Sequence, residues 1–126
     1  MIILDTSVLI DGLTGPNRSA PAIRALIAEG EQIVIPALVL YEWLRGPRIP
    51  QEVATQKRLF PARFAIPFGP DEAAASAKLY RAVRRARSRE IDLAIAACAI
   101  VRDAPLWTLN SADFRDLPGL RLYEPS

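Results

Sequence analysis

Histidine is missing from this chain altogether, and cysteine occurs only once. The first absence removes imidazole acid–base chemistry, the kind that His-dependent ribonucleases use. The second excludes a disulfide framework and a cysteine-based zinc site. Cys98 lies in an apolar run and reads as a small buried hydrophobe. Long apolar runs are lacking too. Ile91–Val101, the longest candidate, contains Asp92 and is about half of the ~20 residues needed to cross a membrane. The start, MIILDTSVLID, has no basic stretch before its apolar run, unlike a secretory signal. A soluble cytoplasmic protein with no membrane contact is expected. No charge sign dominates: sixteen basic residues face fourteen acidic ones, so the chain is not a polycation and bulk charge says little about nucleic acid. Glycine is scarce at six, and the eleven prolines are scattered as punctuation between elements.

What remains is ample apolar content, 51% of 126 residues, which suits one domain with a real core. Ile2–Leu4 is a short apolar run expected to form a buried parallel strand. Thr6–Leu13 reads as a helix, with Gly12 and Gly15 near its end. Pro21–Glu29 reads as another, with Ile23, Leu26 and Ile27 on one face and Gly30 as its stop. Gln32–Ile35 is a second strand, followed by a helix over Ala37–Arg45. A weaker helix pattern covers Glu52–Phe60, and Phe64–Ile66 has the composition of a third strand. Pro70 opens a long helix over Asp71–Arg87, acidic in its first turn and basic in its last, as the helix dipole favours. Ile91–Arg102 is an alanine-rich central helix, and Leu106–Thr108 and Leu120–Tyr123 are final strands. Alternating strands and helices imply an α/β fold. The sheet is expected to be mostly parallel, four- to five-stranded, with helices on both faces.

Against this background Asp5, Glu42, Asp92 and Asp113 stand at the edges of apolar segments, where a lone carboxylate is poorly tolerated. Parallel sheets bind ligands at the carboxyl ends of their strands. Asp5 follows the first strand, Glu42 lies in the helix after the second, Asp92 opens the helix leading to the Leu106–Thr108 strand, and Asp113 follows that strand. All four can converge on one edge. Each also has a plainer reading. Asp5 suits a helix N-cap, bonding the amide of Ser7 or Val8. Glu42 suits a solvated helix face, Asp92 a helix-dipole partner, and Asp113 a turn. The conjunction is stronger than any member. A pocket of carboxylates calls for cations, and oxygen-only ligands select hard ions such as Mg²⁺ or Mn²⁺.

Three motifs carry a resemblance to a known family: IILDTSVLID with Asp5; IPALVLYEWLRG with Glu42; and IDLAIAACAI with Asp92 followed by LWTLNSADF with Thr108, Asn110 and Asp113. In order and spacing the chain resembles the PIN-domain ribonucleases, specifically the VapC-type toxins of toxin–antitoxin pairs. The resemblance implies that residues 1–126 form a single PIN-like nuclease domain. It implies that Asp5, Glu42, Asp92 and Asp113 form the acidic metal-binding, catalytic pocket, with Thr6 and Asn110 as polar supports. It further implies Mg²⁺- or Mn²⁺-dependent endonucleolytic cleavage of structured RNA such as tRNA or rRNA, leaving a 5′-phosphate and a 3′-hydroxyl. A VapB-type antitoxin would be the partner, with a homodimer or a toxin–antitoxin hetero-oligomer as the assembly. Glu90, two residues before Asp92, departs from the pattern; it could replace or assist a ligand, but is expected to face solvent, and Asp11 and Asp116 are left outside the acid set.

RNA near an acidic pocket needs basic residues around it. Lys78, Arg81 and Arg85 would share one face of the expected long helix, and Arg89 lies close to Asp92. The plainer reading is a solvated helix end. Trp43, Trp107 and Tyr41 read as packing residues. Leu9, Leu13, Ile23 and Leu26 suit either the core or a groove for the antitoxin.

Rival functions fit less well. Asp5-Thr6-Ser7 has the residue order of an aspartic-protease active site, but that enzyme class needs a β-rich, glycine-rich fold. An aspartyl-phosphate phosphatase usually carries a second Asp where this chain has Ser7. A processing nuclease without an antitoxin and a non-catalytic RNA-binding relative stay as alternatives. RNA binding alone gains nothing from a negative pocket.

Overall fold

A computed structural model describes residues 1–125. Its centre is β1 (Ile2–Leu4), every residue of which is buried. Successive strand side chains point to opposite faces, so burial throughout means that both faces are covered. On one side β1 pairs in parallel with β2 (Ile33–Val34), with Ile2 opposite Ile33 and Ile3 opposite Val34. On the other it pairs in parallel with β3 (Leu106–Trp107), with Ile3 opposite Leu106 and Leu4 opposite Trp107. The order is β2-β1-β3.

Two short segments widen this sheet. Ile66 bridges Pro36 in parallel; its amide donates to Ile35 O at 2.9 Å, and its carbonyl accepts from Ala37 N at 2.8 Å. Leu122 bridges Leu106 in parallel, flanked by bonds from Leu106 N to Arg121 O and from Tyr123 N to Leu106 O. The outer strands expected at Phe64–Ile66 and Leu120–Tyr123 are thus reduced to one paired position each. Phe64 itself falls in a 3₁₀ turn, Ala62–Phe64, where Pro61 starts a tight bend.

The helices lie close to their expected spans: α1 Thr6–Leu13, α2 Ala20–Ala28, α3 Ala37–Arg45, α4 Pro50–Leu59, α5 Pro70–Ala82 and α6 Glu90–Val101. α6 is apolar all round and buried continuously from Leu93 to Ala99, the mark of a central helix. α5 packs along it. Glu72 joins the two: Oε1 caps Gly69 N at 2.9 Å, and Oε2 accepts from Arg102 Nη1 at 2.8 Å. Gly12 lies near the end of α1 as expected, where an added Cβ would meet Ile23 Cδ1 at 2.6 Å. The missing side chain lets α2 approach α1.

One expectation fails. The helix from Pro70 stops at Ala82, with Val83 extended and Arg85 left-handed at φ 56°. A 3₁₀ turn over Ala86–Arg89 then leads into α6. The chain must reverse here for α6 to pack against α5, and the arginine-rich stretch offers little apolar surface for a longer helix. Lys78 and Arg81 remain on α5, but Arg85 does not, so the expected three-residue basic stripe does not exist on one helix.

Candidate active site

Parallel pairing sends β1, β2 and β3 toward the same edge, where the chain continues into α1, α3 and the Thr108–Asp113 segment. Asp5 leaves β1 there. It is buried, only 4% exposed, and occupies the position before α1 without capping that helix through its side chain. Its Oδ2 instead accepts two hydroxyl protons, from Ser7 Oγ at 2.9 Å and Thr108 Oγ1 at 2.7 Å. Both hydroxyls accept in turn from the backbone: Leu109 N reaches Ser7 Oγ, and Asn110 N reaches Thr108 Oγ1, each at 3.0 Å. The loop after β3 is thereby fastened to the start of α1. Among the described residues no hydrogen bond goes to Asp5 Oδ1.

Glu42 is held from the same segment. Thr6 Oγ1 donates to Glu42 Oε1 at 2.6 Å, and Arg45 Nη2 lies 3.4 Å from Oε2. Trp43, the next residue, is fully buried and anchors this turn of α3. Tyr41 departs from its expected packing role: it is exposed, with the Arg45 guanidinium 5.1 Å from its ring centre.

Asp92 stands in the first turn of α6, half-buried. Burial pushes its carboxyl up to about 6, and Asp5, Glu42 and Asp113 add to the rise through like charge, while Arg89 opposes it. Asp5, Glu42 and Asp113 thus each lie within electrostatic reach of Asp92. Asp113 is the exposed member, at the end of a 3₁₀ turn over Ser111–Asp113.

Arg89 is committed within the protein. Its guanidinium grips Asp116 through both terminal nitrogens, at 2.8 and 2.7 Å, and also bonds the carbonyl of Asp113 at 2.9 Å. This bidentate grip raises the already high pKa of Arg89 and lowers that of Asp116. Arg89 therefore steadies the Asp113 turn and faces Asp92, rather than standing free for a phosphate.

Of the two expected supports, Thr6 does hold a carboxylate; Asn110 contributes its backbone amide instead of its side chain. The structure adds Ser7, Thr108 and Asp116, whose supporting roles the sequence reading misses. Ser7 and Thr108 lie in the first and last motifs, and a hydroxyl two residues after Asp5 is the one signal that points to them. Glu90 lines a polar cleft of about 340 Å³ together with Glu42, Arg87 and Asp92.

The donor set suits a hard divalent cation: carboxylate oxygens only, those of Asp92 and Asp113 and one of Asp5 without a hydrogen bond among the described residues, and a raised Asp92 that a cation would relieve. Among the described residues no three acidic side chains close into a preformed cage. An open arrangement fits Mg²⁺ chemistry, since that ion keeps several waters and takes only one or two protein carboxylates directly.

Residues 2–120 match the PIN domain family. Ribonuclease VapC19 of Mycobacterium tuberculosis is 34% identical over 123 residues, covering 96% of this chain and 98% of that protein. A toxin–antitoxin complex from Klebsiella pneumoniae contains a chain that superposes with a TM-score of 0.77 at 26% identity, covering 100% of this chain and 98% of that one. A DNA-bound VapBC from Salmonella typhimurium shares the fold at a TM-score of 0.75 and 20% identity, with 99% and 98% covered.

Proposed function

Because the chain belongs to the PIN-domain family, we propose that it is an endoribonuclease, the toxin of a toxin–antitoxin pair, with Mg²⁺ or Mn²⁺ as its cofactor. The observation that carries this reading is Asp92. Its carboxyl is raised by burial and by Asp5, Glu42 and Asp113 together, at the carboxyl edge of a parallel sheet. Near-complete alignment with a ribonuclease supports the same activity.

One or two of the four carboxylates would hold the cation directly and the others through its waters; when bound it would polarise the scissile phosphate and acidify an attacking water. The chain's own groups prepare that site. Ser7 and Thr108 fix the Asp5 carboxylate through Oδ2, and Thr6 fixes Glu42 through Oε1. Arg89 and Asp116 hold the Asp113 turn in place. Hydrolysis forms a bond from water oxygen to phosphorus and breaks the bond to the 3′ oxygen, which takes up a proton. The products are a 5′-phosphate and a 3′-hydroxyl.

The relatives' toxin–antitoxin assemblies support an antitoxin partner for this chain. A cleft of about 370 Å³ between α1, α2 and α4 suits one. It is apolar at Leu13, Ile23 and Leu59 and basic at Arg24 and Arg58, as an amphipathic acidic segment requires.

The test is cleavage of pooled tRNA and rRNA by purified protein with Mg²⁺, with Mn²⁺ or with EDTA. Asp5→Ala and Asp92→Asn are purified identically. Discrete cuts that need the cation and vanish in both variants are expected; equal cutting by the variants would count against the reading.

A further inference from the structure

Beside the acidic cleft lies a second hollow, of about 320 Å³, between the Phe68 loop, α5 and α6. Glu90 lines both and makes them neighbours. The floor is apolar, formed by buried Leu93 and Ala94. Phe68 and Tyr80 line it yet stay 44% and 43% exposed, so two aromatic rings stand at the surface without being used by the core. Arg81, also exposed, forms no ion pair among the described residues.

We propose that this hollow holds one unstacked nucleotide of the RNA next to the scissile phosphate, with Phe68 and Tyr80 as its stacking surface, Arg81 on its phosphate and Glu90 on its base edge. The inference rests on the nuclease reading and adds a specificity subsite to it. The chemistry favours RNA. Single-stranded RNA is recognised by splaying bases onto aromatic rings and reading their edges, while a cation tracks the backbone. A carboxylate only accepts hydrogen bonds when ionised, so Glu90 favours bases that offer an exocyclic amine, adenine, cytosine and guanine, over uracil. The hollow is within the size range of small-ligand sites, about 300–1,000 Å³. Through Glu90 it borders the cleft in which the backbone would be cut.

Fluorescence anisotropy with labelled short homopolymers of adenylate, cytidylate and uridylate tests this. It is done with Mg²⁺ on an Asp92→Asn background so that the RNA stays intact. Tyr80→Ala and Phe68→Ala are expected to weaken binding about tenfold each, the usual scale for one stacked base. Both side chains are half exposed, so truncation leaves the core filled, and melting curves verify this. Glu90→Gln is expected to narrow the preference for adenylate and cytidylate over uridylate, which a purely structural role would not do. In the otherwise wild-type protein, Tyr80→Ala should raise KM for tRNA cleavage far more than it lowers kcat. Unchanged RNA binding by all three variants overturns the proposal while cleavage by the parent protein leaves the nuclease reading standing. The proposal is equally overturned if the aromatic variants alter only sedimentation, since the hollow would then be a contact between copies. RNA binding that depends on Tyr80, from a parent protein that cuts nothing, would sink the nuclease and keep the subsite. No RNA binding by the parent overturns both.

Discussion

At Asp5 the two carboxylate oxygens have different partners. Oδ2 accepts hydrogen bonds from Ser7 and Thr108, while none among the described residues reaches Oδ1. Thr108→Val keeps the shape but deletes one donor to Asp5 and the acceptor for Asn110 N. Supporting groups of this kind typically contribute about 10–100-fold to metal affinity or activity. We expect a loss in that range, read as a higher Mg²⁺ requirement in a cleavage titration with little change in melting temperature. Asp92 gives a pH signature. Its carboxyl is raised to about 6, so without metal the native state holds a proton that the unfolded chain has already lost. Stability from this group is therefore greatest in acid and falls as pH rises through the window between the ordinary aspartate value and about 6. A divalent cation should offset that loss. The rise in melting temperature on adding Mg²⁺ should be larger near pH 7 than near pH 5, and an equal rise at both would show that Asp92 is not relieved by the ion. The acids themselves are legible in the sequence because an ionisable side chain beside Ile, Leu and Ala demands an explanation. The bonds of Ser7 and Thr108 to Asp5 are not, because nothing in the spacing shows that residues 7 and 108 meet.

Helices α5 and α6 show where the pattern of residues stops being informative at the level of elements. Start signals are easy to read: Pro70, Asp71 and Glu72 open α5 where expected. Its end is not, since Arg84, Arg85 and Arg87 are all good helix formers and only packing against α6 forces the reversal before them. The outer strands are shorter than their composition suggests, because apolar residues at Phe64–Ile66 do not reveal that only Ile66 finds a partner. Glu72 ties the two helices. Arg102 holds its carboxyl below the ordinary glutamate value, with burial acting the other way. A lowered carboxyl contributes stability above the unfolded value and loses it as pH falls through the native one. Glu72→Ala should destabilise the protein by about 2 kcal/mol, less than a fully buried pair because Arg102 is partly exposed. Denaturant melts should show the deficit at neutral pH and a smaller one in acid; an unchanged midpoint would mean that the pair contributes nothing.

For the whole molecule, the fold is readable in outline because each strand is a short apolar run and each helix has its own punctuation. What the pattern does not convey is strand order. β1 is central, with β2 on one side and β3 on the other. The bond from Thr108 to Asp5 spans a sequence separation of 103 residues. Such long-range closure has a consequence for the timing of synthesis. A ribosome releases the chain from its first residue onward, so β1 and Asp5 emerge early, with one flank of the central strand still unpaired. The other half of the pocket arrives only with Leu106–Asp113. Until then Asp5 lacks Thr108, Asp113 is not yet made, and the growing chain has no cleft capable of cutting RNA. The proposed activity would thus be withheld from the emerging chain until its Leu106–Asp113 segment is free to fold.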